Sequence, residues 1–418
     1  MGWPDTLELT IDGIAQGGEG VGRWRDRVVF AAGGLPGERV RVEIVDQHLT
    51  FARAVVTAVL DASPDRTADE PLDHMPWAHI SYAAQLRYRG QILTDQLERI
   101  GRIPEPPVAP TRAASTPLGY RNAARLHFDG EALGYHEAGT RDVVRIAHDP
   151  LVLPVLDATR TAFGSALATF APGELPTFDV ILRASETHGY TLAALRGREL
   201  GQNPAIGLLM ARWRAAAPQL AGITLDDRVA GAGTLSETFE GVDFVLRPTT
   251  FFQANLAAAQ VLYDLAREGL ALQGGEQLLD LYCGAGAFTL PLARTARVVG
   301  IEEYAPAVED GELTAEINLI TGAEFVLGRV EDTLREQRGR VDAALLDPPR
   351  RGCHPRALAV LLRQRPERIV YISCMPATLA RDLRILIDGG YDLVRSVPVD
   401  CFPQTPHVES VSTLVRHM

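Results

Sequence analysis

The chain has 418 residues, of which 46% are hydrophobic and 22% are charged, and its formal net charge is −12. This length is large for one hydrophobic core, so we expect two or three domains of ordinary globular composition. No apolar run approaches the ~18 residues of a membrane helix and no signal peptide opens the sequence, so we expect a cytosolic protein without a membrane partner. The four cysteines form no C-x-x-C pair, which predicts neither a disulfide framework nor a metal site.

Residues 7–60 predict a small β-barrel. Four or five short strand-like segments are separated by turns rich in glycine and proline. A polar linker follows, and apolar residues at helical spacing predict a helix over 82–100. Net negative charge argues against a nucleic-acid partner. Residues 81–125, however, hold seven arginines against three acidic residues, so acidity of the whole chain does not exclude RNA.

The remaining sequence predicts two further domains. Residues 120–245 mix strands and alanine-rich helices, which is typical of an α+β domain. From about residue 254 strands and helices alternate regularly, which predicts a doubly wound, mostly parallel sheet. We therefore expect three domains, at 1–62, 63–247 and 248–418. The predicted central elements are strands at 123–128, 180–184 and 191–195 and helices at 155–171 and 204–216; the later strands are at 277–282, 297–302, 323–328, 341–346 and 368–373.

Two candidate cofactor elements follow strands of the predicted sheet, where open α/β sheets bind ligands. The turn Cys283-Gly284-Ala285-Gly286 lets backbone approach a ligand at a helix N-terminus, although a tight turn alone would also need its glycines. Glu302 ends the next strand, where an acid can accept hydrogen bonds from both ribose hydroxyls of an adenosine cofactor. A solvent-exposed strand-end acid is the alternative interpretation of Glu302.

Asp347-Pro348-Pro349-Arg350 follows the fourth strand of this sheet. Consecutive prolines fix a rigid turn, which would hold Asp347 at the edge of the sheet. A similar tetrapeptide in amino-methyltransferases binds an exocyclic amino group, usually with an aromatic fourth residue, so Arg350 argues against that function. Arg350 and Arg351 are instead candidates to contact phosphate or a uracil carbonyl.

Cys374 follows the fifth strand, and Glu409 comes 35 residues later, where a final strand over 408–415 begins. A single strand-end cysteine is more often part of the packing, but the turn at Pro376 favours an exposed sulfur. Uracil C5 is too weak a nucleophile to take a methyl group directly, whereas thiolate addition at C6 activates it. A base must then remove the C5 hydrogen, and Glu409 suits that step.

Together these motifs resemble the RNA uridine-C5 methyltransferase family. The similarity rests on Gln253-Ala254-Asn255, the glycine turn, the Asp347 tetrapeptide, Ser373-Cys374, and the run from Asp400 to Glu409, which matches DxFPxTxHVE. The N-terminal segment resembles the TRAM domain, an OB-like RNA-binding module, through its turn Leu35-Pro36-Gly37-Glu38. The resemblance implies a Rossmann-like class I methyltransferase domain behind an OB-like barrel and a central α+β RNA-recognition domain.

The resemblance also implies an activity: methylation of C5 of a uridine in RNA with S-adenosyl-L-methionine as the donor. TRAM-bearing members mostly resemble enzymes of 23S rRNA, and the T-loop uridine of tRNA is the alternative target. By the resemblance, Cys374 corresponds to the family's nucleophile and Glu409 to its proton acceptor. We expect an RNA partner, a monomer and no metal. The residues that would bind the cofactor are Gln253, Tyr282, Gly284, Gly286, Glu302 and Asp347.

The sequence departs from the family pattern at three places. Met375 stands where asparagine is usual, which predicts the loss of one supporting hydrogen bond, and Ala287 replaces a frequent asparagine. Iron–sulfur cysteines found in many members are missing around residues 72–75, so we expect no cluster. An amino-methyltransferase that uses Asp347, or an RNA-binding protein whose catalytic site has decayed, would be the alternatives.

Overall fold

The computed structural model describes residues 2–113, 116–137, 140–226, 228–336 and 339–417. Packing divides the chain into two compact units. The first contains Met1–Pro117, Pro349–Cys353 and Tyr371–Met418, and the second contains Leu118–Pro348 and His354–Val370. The division into three domains along the chain stays a prediction, because these units are defined by packing and not by chain order. No described helix combines the length and apolar character that crossing a bilayer requires.

Five strands open the first unit: β1 (Thr6–Ile14), β2 (Gly20–Trp24), β3 (Arg27–Ala32), β4 (Arg39–Gln47) and β5 (Phe51–Asp61). They close into a barrel in the order β1-β2-β3-β5-β4, as the sequence predicts. Alternate residues point inward, so Leu9, Val29 and Val40 are buried in one core. The turn after β3 is held by Glu38, whose buried carboxylate accepts the Leu35 amide at 2.9 Å.

One long helix, α1 (Tyr82–Arg99), follows in the first unit. Its bounds agree with the predicted helix to within one residue. Ile92, Leu93 and Leu97 form an apolar stripe on the buried face, as expected for an amphipathic helix. The same face also buries Gln85 and Arg89, two polar side chains that need hydrogen-bond partners there.

The second unit begins with strands β6 (Ala123–Phe128), β7 (Leu133–His136) and β8 (Val143–Arg145), helix α2 (Pro154–Leu167), strands β9 (Phe178–Ala184) and β10 (Thr191–Arg196), helix α3 (Pro204–Ala216), and strands β11 (Leu220–Leu225), β12 (Arg228–Gly231), β13 (Leu235–Phe239) and β14 (Val242–Leu246). One seven-stranded sheet has the order β12-β11-β10-β9-β6-β7-β8, and β13 pairs only with β14 among the described strands. The predicted α+β character is confirmed, although α2 ends at Leu167, before the predicted residue 171.

The parallel sheet follows, with α4 (Leu256–Leu270), β15 (Gln277–Leu281), α5 (Thr289–Leu292), β16 (Arg297–Glu302), α6 (Ala305–Ile317), β17 (Ala323–Leu327), α7 (Val330–Thr333), β18 (Ala343–Leu346) and α8 (Pro355–Gln364). Within the second unit four strands pair in parallel in the order β17-β16-β15-β18. β15 stops one residue before the prediction because Tyr282 has a φ of 67°, which no extended strand accommodates.

The last elements are β19 (Arg368–Ser373), α9 (Pro376–Asp388), β20 (Tyr391–Val399) and β21 (Glu409–Arg416). Strand β19 begins in the second unit and ends in the first, to which α9, β20 and β21 belong. β20 and β21 are antiparallel, and their register places Val399 opposite Glu409. The segment between them, residues 400–408, therefore starts and ends at the same edge of this pair.

Candidate active site

The glycine-rich turn of the second unit folds back over the end of β16. The amides of Tyr282 and Cys283 donate to the Ile301 carbonyl at 2.9 and 3.2 Å. Tyr282, Gly284 and Gly286 all have positive φ, at 67°, 55° and 82°. For Tyr282 this conformation costs roughly 1–3 kcal/mol. A strained non-glycine residue at a strand end, followed by two left-handed glycines, is a backbone shape typical of ligand-binding turns.

The two glycines of the turn are needed for different reasons. A side chain at Gly286 would place its Cβ 2.6 Å from the Phe325 ring, so this glycine is required by packing. A Cβ at Gly284 would meet no atom within 4 Å. The open side of the turn is therefore at Gly284, where a ligand can approach the backbone closely.

Glu302 connects this turn to the end of β16. One carboxylate oxygen accepts the Gly284 amide at 3.1 Å and the other accepts the Tyr304 amide at 2.8 Å. A carboxylate offers about four lone-pair sites, so two stay available for ribose hydroxyls. The Asp347 amide donates to the Leu281 carbonyl at 3.2 Å, which places Asp347 beside the start of the turn. Tyr282, Gly284, Glu302 and Asp347 thus lie at one sheet edge, and they fit an adenosine cofactor.

Gln253 lies in the same unit, immediately before α4. Its carbonyl accepts a hydrogen bond from the Asn122 side chain at 3.0 Å. Asn255, the other polar residue of the family element, caps α4 by accepting the Ala258 amide at 3.1 Å. Asn255 therefore has a structural role as the N-cap of α4. Gln253 is half-buried, and its cofactor role stays a prediction.

In the first unit, Cys374 lies directly before Met375, the N-cap residue of α9. The cap has no side-chain hydrogen bond, so the first amides of α9 leave a positive partial charge at this end of the helix. Cys374 is half-buried and lies at this positive end of the helix. Met375 itself is held by Ser373, whose hydroxyl accepts its amide at 3.1 Å, and by the Gln16 amide, which donates to its sulfur.

The other cysteines are less suited to nucleophilic attack. Cys353 and Cys401 are buried. Cys283 is half-buried, but burial raises the pKa of its thiol well above the ordinary value, and nearby Asp280 and Glu302 raise it further. A thiol that resists ionisation is a poor nucleophile. Among the four, the position of Cys374 is the best for thiolate chemistry.

The segment Pro349–Cys353 is attached to α9 in the first unit. The Thr378 hydroxyl lies 3.0 Å from the Arg350 carbonyl and 3.1 Å from the Met375 carbonyl, so it can donate to either. Asp382 accepts the Cys353 amide at 2.8 Å. Thr378 consequently holds the backbone of Arg350 beside the residue that follows Cys374.

Glu409 is the first residue of β21. Burial raises the pKa of its carboxyl to about 7, and the positive charge of Arg350 opposes that rise. Arg350 also lies 3.4 Å from the His407 ring nitrogen Nδ1. Arg350 therefore interacts near both catalytic candidates. Its backbone is held next to the residue that follows Cys374, and its positive charge acts on Glu409. From sequence, Arg350 was a candidate to contact phosphate or a uracil carbonyl, and its link to Cys374 and Glu409 could not be predicted.

The structure thus groups the predicted residues into two sets. Cys374 and Glu409 belong to the first unit, and the six cofactor candidates belong to the second. Thr378 and Gln16 were not anticipated, because a threonine in a helix and a glutamine in a turn carry no motif of their own. Within the described ranges, no three histidine, cysteine or acidic side chains are arranged to hold a metal ion. The missing iron–sulfur cluster stays a prediction.

Two family models match the sequence. The tRNA (uracil-5-)-methyltransferase model matches residues 240–417, and the TRAM domain model matches residues 5–57. The second match covers most of the five-stranded barrel. The first covers the parallel sheet, the Cys374 strand end and β21.

Relatives and one solved structure are similar over nearly the whole chain. An uncharacterized RNA methyltransferase of Thermosynechococcus vestitus is 34% identical, with 98% of each chain covered. Another of Synechocystis sp. is 35% identical over 96% of this chain and 94% of the relative. The crystal structure of Pyrococcus abyssi tRNA (uracil-54, C5)-methyltransferase in complex with S-adenosyl-L-homocysteine is 25% identical, with a TM-score of 0.76, and covers 98% of this chain and 100% of that chain.

Proposed function

We propose that this chain, which belongs to the RNA (uracil-5-)-methyltransferase family, methylates C5 of a uridine in 23S rRNA through a covalent bond between Cys374 and C6. Membership in the family makes the protein an RNA methyltransferase that depends on S-adenosylmethionine. The covalent step, the residues that carry it and the RNA target are our proposal.

In the proposed reaction the Cys374 thiolate adds to C6 of the uracil. A C–S bond forms, the C5–C6 double bond is lost, and negative charge spreads over O4 and C5. C5 would take the electrophilic methyl group of bound S-adenosylmethionine, whose sulfur would keep the electron pair of the broken bond and leave as S-adenosylhomocysteine. Glu409 then removes the hydrogen on C5. The double bond returns and the C–S bond breaks, which regenerates the thiolate and leaves 5-methyluridine.

The observation that carries the proposal is the arrangement around Arg350. A base that works near neutral pH needs a pKa close to 7, and burial gives the Glu409 carboxyl a pKa of about 7. Thr378 ties the Arg350 backbone to Met375, which follows the nucleophile in the chain. The segment that contains Arg350 therefore contacts the surroundings of both the attacking sulfur and the proton acceptor. This arrangement supports the proposal that Cys374 and Glu409 act on the same uracil ring.

The cofactor residues of the second unit have separate proposed roles. Glu302 would accept hydrogen bonds from the ribose hydroxyls with its two remaining lone-pair sites. Gly284 would let the cofactor approach the turn, and Gly286 would shape that turn through its packing on Phe325. Tyr282, Asp347 and Gln253 would complete the lining. None of these roles requires a metal.

The RNA must present its uracil outside the base stack, because the ring is attacked at C6 within a protein pocket. Such unstacking costs a few kcal/mol. We propose that the TRAM barrel and the arginine-rich stretch 81–125 offset this cost by binding the surrounding RNA. Since one chain carries both the nucleophile and the base, we also propose that it acts as a monomer; a stable dimer in sedimentation analysis would contradict that.

Trapping with RNA that contains 5-fluorouridine tests the mechanism. Fluorine cannot be removed as a proton, so methyl transfer should stop at a covalent complex that survives denaturing electrophoresis. The complex should require S-adenosylmethionine and should disappear in Cys374→Ala. Absence of any complex with an RNA that is otherwise methylated would reject the covalent step. Cofactor binding without methylation of any RNA would instead support a decayed RNA-binding protein.

Mass mapping of rRNA and tRNA from cells with and without the gene tests the target. Loss of a 5-methyluridine from 23S rRNA supports our proposal. The tRNA T-loop is the second candidate, and it is favoured by the similarity over nearly the whole chain to the Pyrococcus abyssi tRNA enzyme. Loss confined to tRNA would replace the first target with the second. Unchanged 5-methyluridine in both RNA classes would contradict both.

A further inference from the structure

We propose that Arg89, together with Gln85, is a positioning residue that holds the Glu409 carboxylate in place for proton removal. The inference rests on the proposed role of Glu409 as the proton acceptor. It concerns residues 400–408, here called the acceptor loop, and the buried face of α1. Both belong to the first unit.

Arg89 contacts the acceptor loop along its length. One terminal nitrogen, Nη2, donates to the Phe402 carbonyl at 3.0 Å and to the Thr405 carbonyl at 2.8 Å. Nε donates to the His407 carbonyl at 3.1 Å. Nη2 also lies 2.9 Å from the Asp400 carboxylate, and both side chains of this ion pair are 0% exposed. The guanidinium thus reaches the first residue of the loop and the residue two positions before Glu409.

Gln85, one helical turn before Arg89, fixes the middle of the loop. Its side-chain oxygen accepts the Gln404 amide at 3.0 Å, and its nitrogen donates to the Gln404 side chain at 2.8 Å. The amide of Trp77 donates to the Gln404 carbonyl at 3.0 Å. Gln404 has a φ of 66°, a conformation that a non-glycine residue keeps only when its surroundings impose it.

The acceptor loop cannot order itself by local hydrogen bonds alone. It contains Pro403 and Pro406, which have no amide to donate. Within the loop the Phe402 carbonyl accepts the Thr405 amide and hydroxyl, and Arg89 adds a donor to this carbonyl and to the carbonyls of residues 405 and 407. A buried carbonyl without a donor is costly. Burying a guanidinium is costly too unless its charge and its donors are satisfied. The guanidinium and the loop therefore meet part of each other's hydrogen-bonding needs. Arg89 donates to the three carbonyls from two nitrogens, Nε and Nη2, whereas a lysine would offer a single nitrogen.

The barrel supports the same loop from a second direction. Gly18 has a φ of 89°, and a side chain there would place its Cβ 2.6 Å from the Pro406 Cβ and 2.5 Å from the Trp77 ring nitrogen. The backbone of the β1–β2 turn therefore lies directly against the loop. The acceptor loop packs against α1 on one side and against this turn on another, which restricts its backbone conformation. The backbone position at which β21 begins, at Glu409, is therefore fixed.

This arrangement predicts which chemical step depends on Arg89. Thiolate addition and methyl uptake involve Cys374 and the donor, whereas only proton removal needs the Glu409 carboxylate at the correct place. A displacement of about 1 Å can slow a step by about 100-fold. Loss of the Arg89 contacts should therefore slow proton removal selectively and cause the methylated, covalently bound RNA to accumulate.

Arg89→Lys, Glu409→Gln and the wild type would be compared on one unmodified RNA substrate. Arg384→Lys, which alters a helix-surface arginine paired with Asp388 in the same unit, is the matched control. For Arg89→Lys we expect kcat to fall about 10- to 100-fold, and KM for RNA and cofactor to fall with it, because the slowed step follows methyl transfer. The fraction of enzyme in the covalent complex should rise as it does in Glu409→Gln, and deuterium at C5 should slow the variant but not the wild type. The control should behave as the wild type.

The outcomes separate the two proposals. If Glu409→Gln accumulates no covalent complex, the proposed role of Glu409 fails. If Glu409→Gln accumulates it but a folded Arg89→Lys shows no complex and no isotope effect, only the positioning role fails. Should Arg89→Lys not fold, Gln85→Leu decides. It removes the Gln404 contacts, together with the hydrogen bonds from Gln85 to the Trp77 and Ile80 carbonyls, and leaves Arg89 in place. The same complex at a lower level supports the inference, and wild-type behaviour overturns it.

Discussion

The cofactor turn at 282–286 and the acceptor loop at 400–408 are both irregular segments attached to strand ends, but they are stabilised in opposite ways. The turn is shaped by the three positive φ values of its own residues and by amide contacts to Ile301 on the neighbouring strand. The loop is shaped by side chains more than 300 positions away in the sequence, Gln85 and Arg89. One segment therefore depends on local conformation and the other on distant packing.

This difference determines where substitutions should act. Changes within the turn should alter cofactor binding and stability, whereas changes far from the loop in sequence should alter proton removal. Catalytic side chains at Cys374 and Glu409 should show the largest effects because they take part in the reaction itself.

The largest effect is expected at the nucleophile. Cys374→Ala should lower kcat/KM by at least ~10⁴-fold, because it removes the thiolate that activates C5 by adding to C6. Cofactor affinity, measured by calorimetry, should stay within about twofold of the wild type. Methylation at more than a hundredth of the wild-type rate would show that C5 is activated in another way.

Glu409→Gln should lower kcat by about 10²–10⁴-fold, the usual contribution of a general base. Glutamine keeps the size of the side chain but cannot take a proton. Rapid-quench measurements should show a first methyl transfer close to the wild-type rate, followed by slow release of product. A variant that slows the first methyl transfer and accumulates no complex would place Glu409 outside the proton-removal step.

Substitutions at Gly284 and Gly286 should have different effects, one on cofactor affinity and the other on the stability of the turn. Gly286→Ala forces a contact with Phe325 at a φ of 82° and should destabilise the protein by about 1–3 kcal/mol, seen as a lower Tm. Gly284→Ala meets no neighbour, so its loss of stability should be smaller, while cofactor affinity falls about tenfold. Equal effects of both variants on Tm and on cofactor affinity would contradict the separate roles of Gly284 and Gly286.

The smallest effect is a shift in pH dependence. Since burial raises the pKa of Glu409 to about 7, kcat should increase with pH and level off above that value. Arg350 opposes the rise, so Arg350→Gln should move the inflection to higher pH, by about 0.5–1 pH unit after allowance for solvent screening. Arg350→Lys should leave it near the wild-type value. A profile that moves to lower pH in Arg350→Gln would contradict the assigned interaction.

The same pKa has a consequence for stability. The native state holds the Glu409 proton more tightly than the unfolded state, whose carboxyl has the ordinary value of 4.5. Stability from this group is therefore complete below about pH 4.5 and is lost as the pH rises towards 7. Glu409→Gln should accordingly raise Tm more at pH 8 than at pH 5, and an equal change at both values would argue against a raised pKa.

The parts of the fold that could be predicted from sequence are those fixed by local pattern. Alternation and turn residues predict the barrel, helical spacing predicts α1, and regular strand–helix alternation predicts the parallel sheet. Strand β20 was missed because Pro398 interrupts its pattern, which usually excludes a strand. Antiparallel pairing with β21 nevertheless continues through Pro398 to Val399.

In the candidate site, too, residues in local motifs could be predicted from sequence, and residues defined by distant contacts could not. Gly284, Glu302, Cys374 and Glu409 stand in short motifs, and each motif carries its chemical meaning within a few residues. Arg89 and Gln85 belong to an ordinary amphipathic helix, in which a polar residue on the buried face is indistinguishable from a surface residue until its partners are known. Only the three-dimensional structure brings α1 against the acceptor loop.

The most direct test of the account is the chemical identity of the complex that Glu409→Gln forms with unmodified RNA. Protease and nuclease digestion followed by mass spectrometry should yield a peptide that contains Cys374, joined through sulfur to a uridine that has gained one methyl group. We predict that both changes occur on the same nucleotide. A methylated RNA with no bond to Cys374, or a bond through another cysteine, would contradict it.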